Sequence, residues 1–122
     1  MDKNIHADVT GQSEDALQQK CFFWFWNEYD FLRRLLFSVP NGGVRDPKEA
    51  KKLRLTGLTP GVSDFIFLYR GVAYLIELKK DLKAKQSRDQ KIWQKDVEAQ
   101  GFIYFIVRSL TEFKSLINSI VQ

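Results

Sequence analysis

Between Pro60 and Lys79 the chain runs Pro-Gly-Val-Ser-Asp, an apolar stretch, Arg70-Gly71, a second apolar stretch and then Glu-Leu-Lys. Two apolar runs split by two residues, the second a glycine, predict a tight β-hairpin, because such turns need positive φ and glycine adopts it without steric cost. Strands over Val62–Tyr69 and Val72–Lys80 put Tyr69 opposite Val72 and Asp64 directly opposite Glu77. Opposed residues share a face of the sheet, and the period of two brings Lys79 to that face as well. Two acids and a lysine therefore converge beside apolar strands. Charges there are costly unless they pair or hold a cation. Paired carboxylates suit a hard divalent metal, and the lysine suits a developing anion.

A Glu-x-Lys in an arbitrary strand is ordinarily a weak surface ion pair. The surroundings argue against that here. Phe65, Ile66, Phe67 and Leu68 form one continuous apolar run, and Ala73, Tyr74, Leu75 and Ile76 another. Such runs predict strands covered on both faces, central in a sheet.

Around the hairpin stand further motifs: Pro40-Asn41-Gly42-Gly43, Gly57 ahead of Pro60-Gly61-Val62-Ser63-Asp64, Glu77-Leu78-Lys79, Gln86-Ser87 with Gln90 and Trp93, and an upstream helix carrying Glu14. This ordered set resembles the VRR-NUC (virus-type replication-repair nuclease) family of the PD-(D/E)xK nuclease superfamily, over roughly residues 13 to 121. Ser63 stands where many members have proline. The resemblance implies a restriction-endonuclease-like αβββαβ core, an α/β fold with a mixed central sheet flanked by helices. It implies a metal-dependent endodeoxyribonuclease, with Asp64, Glu77 and the Leu78 backbone carbonyl holding Mg²⁺ or Mn²⁺, one or two ions. Glu14 adds charge directly or through water. By the same resemblance Lys79 is expected to contact the scissile phosphate or orient the attacking water, and Gln90 to complete the catalytic set. Stand-alone members look like dimers that resolve branched DNA such as four-way (Holliday) junctions. Flap or linear-DNA cleavage, and a non-catalytic nucleic-acid-binding module on the same fold, are the alternatives.

With 122 residues, 44% of them hydrophobic and 14% aromatic, the chain suits one folded domain. We expect a flexible N-terminal tail over residues 1–12 and a single domain over 13–122. The net charge of +4 favours an anionic partner without identifying one. The single cysteine, Cys21, excludes an internal disulfide and fits a reducing compartment. No apolar stretch reaches the ~18 residues of a membrane span, and the start lacks a secretory signal. The expected location is the cytoplasm, of a bacterium or a phage-infected host. His6, the sole histidine, lies in the tail, which disfavours zinc chemistry or a serine triad.

Ser13 can cap a helix beginning at Glu14. Leu17, Cys21, Trp24, Phe25, Leu32 and Leu35 follow a helical period, and Glu14 shares their stripe. By position alone Glu14 is equally a helix-end acid stabilised by the dipole. Phe22, Phe23 and Trp26 point elsewhere, so the helix is apolar on more than one face and predicts burial all round. A homodimer through these three aromatics is the expected consequence. Leu36–Val39 reads as a short strand, stopped by Pro40. Asn41, Gly42 and Gly43 either turn the chain or bring amides to a phosphate. Asp46-Pro47 opens a short helix to about Arg54, with Lys48, Lys51 and Lys52 on one stripe and Arg45 and Arg54 at its ends. That stripe is either a solvated face or a surface for the DNA backbone.

A charged loop follows, then a helix over Gln86–Gln100. Gln86, Gln90, Trp93 and Val97 share one of its faces, so the glutamine amides need inward partners. These are backbone groups or, as the resemblance implies for Gln90, a phosphate oxygen or a water at the site. Gly101 closes the helix. Phe102–Val107 is a strand, and Thr111–Val121 a final helix with Phe113, Leu116, Ile117 and Ile120 inward. Helices at both ends and between strands predict cover for both faces of a mixed sheet.

Overall fold

The computed structural model describes residues 12–40 and 46–122. Helix α1 (Glu14–Glu28) starts where the sequence places it: the Ser13 hydroxyl accepts from the Ala16 N–H at 3.1 Å. Its residues Leu17, Cys21 and Phe25 recur every fourth position and are fully buried. A 3₁₀ helix (Asp30–Leu35) follows, then β1 (Leu36–Ser38), α2 (Pro47–Leu55), β2 (Phe65–Tyr69), β3 (Val72–Leu78), α3 (Arg88–Ala99), β4 (Ile103–Val107) and α4 (Leu110–Val121). The four strands lie in the order β1-β2-β3-β4; β1, β2 and β3 are antiparallel, and β4 joins β3 in parallel. The mixed sheet with flanking helices is the expected architecture.

The hairpin register is as read: Tyr69 pairs with Val72 and Phe65 with Ile76. Arg70 (φ 48°) and Gly71 (φ 81°) both take the left-handed region, the signature of a type I′ turn. One face of the sheet presents Leu36, Phe65, Phe67, Ile76, Leu78 and Val107 to α1 and α4, whose Phe113 and Ile117 complete the core. The other face carries Leu75, Glu77 and Tyr104, with Trp93 of α3 edge-on to the Tyr104 ring at 6.1 Å.

Several expectations need correction. The strand predicted from Val62 begins at Phe65, and the one predicted to Lys80 ends at Leu78. Ser63, fully buried just ahead of β2, donates its hydroxyl to the Phe65 carbonyl at 3.0 Å, a local side-chain-to-backbone bond. Both-face cover holds for Leu75–Leu78, all buried, but not along β2, where Leu68 is 40% exposed. The reason is that α3 packs by β4, while no residue of α2 is buried. Within the single chain Phe22 of α1 packs on Phe65, while Phe23 is 62% exposed. Trp26 is covered in part by the Phe22 ring and by the Arg33 guanidinium 4.7 Å from its ring centre, so the outer aromatics remain open to the second copy expected of them. Leu35 leaves the apolar stripe because the helix gives way to a 3₁₀ turn, which keeps Leu32 inward and exposes Leu35. Helix α3 begins at Arg88 rather than Gln86, since Ser87 is its cap. Among the described residues, no helix is long and apolar enough to cross a membrane.

Candidate active site

The hairpin's open end is where the charges meet. β3 delivers Glu77 and Lys79 at its C-terminal end, and the segment entering β2 delivers Asp64 alongside. An Asp64 Oδ2 oxygen accepts from the Leu78 N–H at 2.6 Å, so the carboxylate continues the β2–β3 pairing in place of a backbone carbonyl. The Lys79 N–H donates to the Val107 carbonyl at 2.9 Å and extends the β3–β4 ladder to the lysine itself.

Glu77 is fully inaccessible and Lys79 only 5% exposed. The Lys79 Nζ lies 3.3 Å from Glu77 Oε2 and donates to Gln90 Oε1 at 2.8 Å. Glu14, at the first turn of α1, stands further off, with Oε2 at 3.9 Å from the same Nζ and its side chain 42% exposed. Gln90 is held from its own helix: Oε1 accepts from the Ser87 N–H at 2.8 Å while the Ser87 hydroxyl accepts from the Gln90 N–H, a capping box. One side chain therefore both caps α3 and anchors the lysine.

The two Glu77 oxygens are unequal. Oε1 accepts from the Tyr104 hydroxyl. Oε2 has no hydrogen-bond partner among the described residues and lies 3.3 Å from the Lys79 ammonium. A buried carboxylate oxygen without a donor is costly, and a hard cation is what such an oxygen accepts best. Asp64 and Glu77 thus fit a divalent ion. Among the described residues, no three His, Cys, Asp or Glu side chains cluster for one ion, so neutral oxygens would fill the remaining positions.

Burial pushes the Asp64 carboxyl up from 3.8 to about 6, with Glu77 and Glu14 adding to the rise and the Leu78 N–H and Lys79 opposing it. The folded protein therefore holds this proton where the unfolded chain has lost it. Below about pH 4 both states are protonated and there is no penalty. Between about 4 and 6 stability falls as pH rises, by up to about 1.4 kcal/mol per pH unit, and above 6 the penalty is constant. Asp64→Asn keeps the acceptor but cannot ionise. In metal-free urea titrations at several pH values, wild type should lose stability across this window relative to Asp64→Asn; parallel profiles would refute the buried setting.

Lys48, Lys51, Lys52 and Arg54 are exposed on α2. Asn41, Gly42, Gly43 and Arg45 lie outside the described residues, as do residues 1–11 of the expected tail. Sequence reasoning missed Tyr104 altogether. A tyrosine inside an apolar central strand must find a partner for its hydroxyl, and that demand was the available signal. Burial, followed by the bond to Glu77, raises the Tyr104 phenol above its ordinary range, so it stays a donor.

No family model matches the sequence, and no curated protein matches it either. Solved structures do. One named VRR_NUC domain protein aligns over 91% of this chain and 89% of its own, with a TM-score of 0.73 at 20% identity. Another, named VRR_NUC domain, covers 86% of this chain and 94% of its own, with a TM-score of 0.57 at 21% identity. At such identity the likeness establishes the fold, in agreement with the motif resemblance.

Proposed function

We propose that the chain is a metal-dependent nuclease of the PD-(D/E)xK type that hydrolyses phosphodiester bonds in DNA, selecting branched structures such as four-way junctions. The observation that carries this is Glu77: a fully buried carboxylate with one oxygen fixed and the other lacking a donor, beside Asp64 and Lys79. A purely structural ion pair gains nothing from leaving that oxygen bare.

Asp64 and Glu77 hold the cation, Mg²⁺ or Mn²⁺, with the Leu78 carbonyl as a neutral donor. Glu14 contributes charge from the rim and could admit a second ion. When bound, the ion supplies Lewis-acid stabilisation of phosphate charge. Lys79, freed in part from Glu77, places its ammonium at the scissile phosphate, and Gln90 keeps it aimed there. The α2 cations lie along the DNA backbone and confer affinity without sequence preference. Phe23 and Trp26, together with a groove of about 570 Å³ between α1 and β1, support a homodimer that pairs two sites on one branched substrate.

The test is cleavage of a four-way junction, a 5′ flap and a linear duplex in Mg²⁺ or Mn²⁺. Wild type should cut the junction first. Asp64→Ala and Lys79→Ala should lose a factor on the order of 10²–10³ or more. Mutants as active as wild type would defeat the assignment. Binding without cleavage in Mg²⁺, Mn²⁺ and Co²⁺ would instead make the chain a nucleic-acid-binding module.

A further inference from the structure

We propose that Tyr104 is a positioning residue for Glu77, its buried hydroxyl fixing one carboxylate oxygen so that the other faces the ion. The inference rests on the nuclease reading above and deepens it.

β4 runs parallel to β3 with Leu75 opposite Tyr104 and Glu77 opposite Ile106. Tyr104 and Glu77 thus share a face as diagonal neighbours, within reach of a long side chain. The phenol has one proton to give and lone pairs to receive with. Gln86 Nε2 donates to the Tyr104 oxygen at 3.3 Å, and the same nitrogen donates to Gln94 Oε1 at 2.8 Å. Gln94 is itself set by donating its Nε2 to Glu98 Oε2 at 3.3 Å, so turning the Gln86 amide over would place its oxygen against the Gln94 oxygen, and the direction of donation follows. With the tyrosine oxygen already receiving, its own proton goes to Glu77 Oε1. Trp93, edge-on at 6.1 Å, holds the ring in place.

A glutamate carboxylate otherwise turns freely about its last torsion, which is broad and two-fold. Either oxygen could then face Lys79 and Asp64, or both at once. The hydroxyl removes that freedom. Partners that orient a metal ligand typically change metal affinity by about 10–100-fold.

The experiment is calorimetric titration of the full chain with Mn²⁺ in the absence of DNA, wild type against Tyr104→Phe, which keeps the ring and deletes the hydroxyl. Tyr104→Phe should bind Mn²⁺ about 10–100-fold more weakly. Its junction cleavage should recover as Mn²⁺ is raised, with KM for DNA unchanged. A packing role would lower the urea midpoint and leave the Mn²⁺ affinity alone. Unchanged or tighter binding by folded Tyr104→Phe, with wild type binding normally, overturns this inference only. Wild type that binds no Mn²⁺ overturns the nuclease reading and this inference with it. Should Tyr104→Phe not fold, Gln86→Leu decides: a loss of about tenfold or more in Mn²⁺ affinity supports donation from the Tyr104 hydroxyl to Glu77, directed by Gln86, and an unchanged affinity overturns it.

Discussion

Lys79→Ala should destabilise the metal-free protein by about 3–5 kcal/mol in urea unfolding at neutral pH. Glu77 is the cause. Its carboxylate has no solvent contact, and Oε2, without a hydrogen-bond donor among the described residues, lies 3.3 Å from the Lys79 ammonium. Truncating the lysine strands a buried charge, which is much worse than losing an exposed pair. The Glu14 contact at 3.9 Å contributes little, since that carboxylate is half in water. Two further results follow from the same cause. Glu77→Gln added to Lys79→Ala should recover much of the loss, because the stranded charge is gone. Mn²⁺ should recover part of it in Lys79→Ala alone, about 2.7 kcal/mol at a hundredfold excess over Kd, if a cation can replace the ammonium. A lysine variant that unfolds with wild type, or a double variant no more stable than the single, would mean the pair is solvated.

That coupling also explains what the sequence reveals of this site. Asp64, Glu77 and Lys79 are linked through a hairpin whose turn, Arg70-Gly71, sets the pairing by itself, so their meeting could be read from a period of two. Helix starts were legible for a similarly local reason: Ser13 and Asp46 cap the helices that follow them, accepting at 3.1 and 2.9 Å. Legibility fails where the deciding partner is remote. The Tyr104 bond to Glu77 spans 27 positions and depends on a parallel register set by the crossover through α3, which no local pattern encodes. The aromatic side of α1 was legible as apolar, but hydrophobicity shows which faces could be buried, not which layer covers them. Likewise the apolar run of β2 predicts cover that α2 does not provide, since no residue of that helix is fully buried. The start of β2 was obscured because the Leu78 N–H bonds the Asp64 carboxylate rather than a backbone carbonyl, which ends the regular ladder at Phe65.

Gly61→Ala should cost about 2–4 kcal/mol and should disturb the site as well as the fold. Gly61 sits at φ +84°, where an alanine is strained by about 1–2 kcal/mol. Here strain is the lesser part. An added Cβ would stand 2.2 Å from the Asp89 carbonyl oxygen, 2.4 Å from its carbon and 2.8 Å from the Gln90 nitrogen. All three are backbone atoms in the first turn of α3, and the Ser87–Gln90 capping box prevents that turn from opening cheaply. The turn must therefore move as a unit, taking with it the Gln90 oxygen that holds the Lys79 Nζ at 2.8 Å. Gly71→Ala is the matched control: φ is +81°, and nothing lies within 4 Å of its added Cβ. It should show the strain alone, with cleavage intact at temperatures where it is folded. Gly61→Ala should lose cleavage at temperatures where it too is folded, because the loop before β2 bears directly on the helix that aims the lysine. Equal losses of stability and equal cleavage in the two variants would show that the loop and α3 are not in contact, and that Gln90 owes its place to its cap alone.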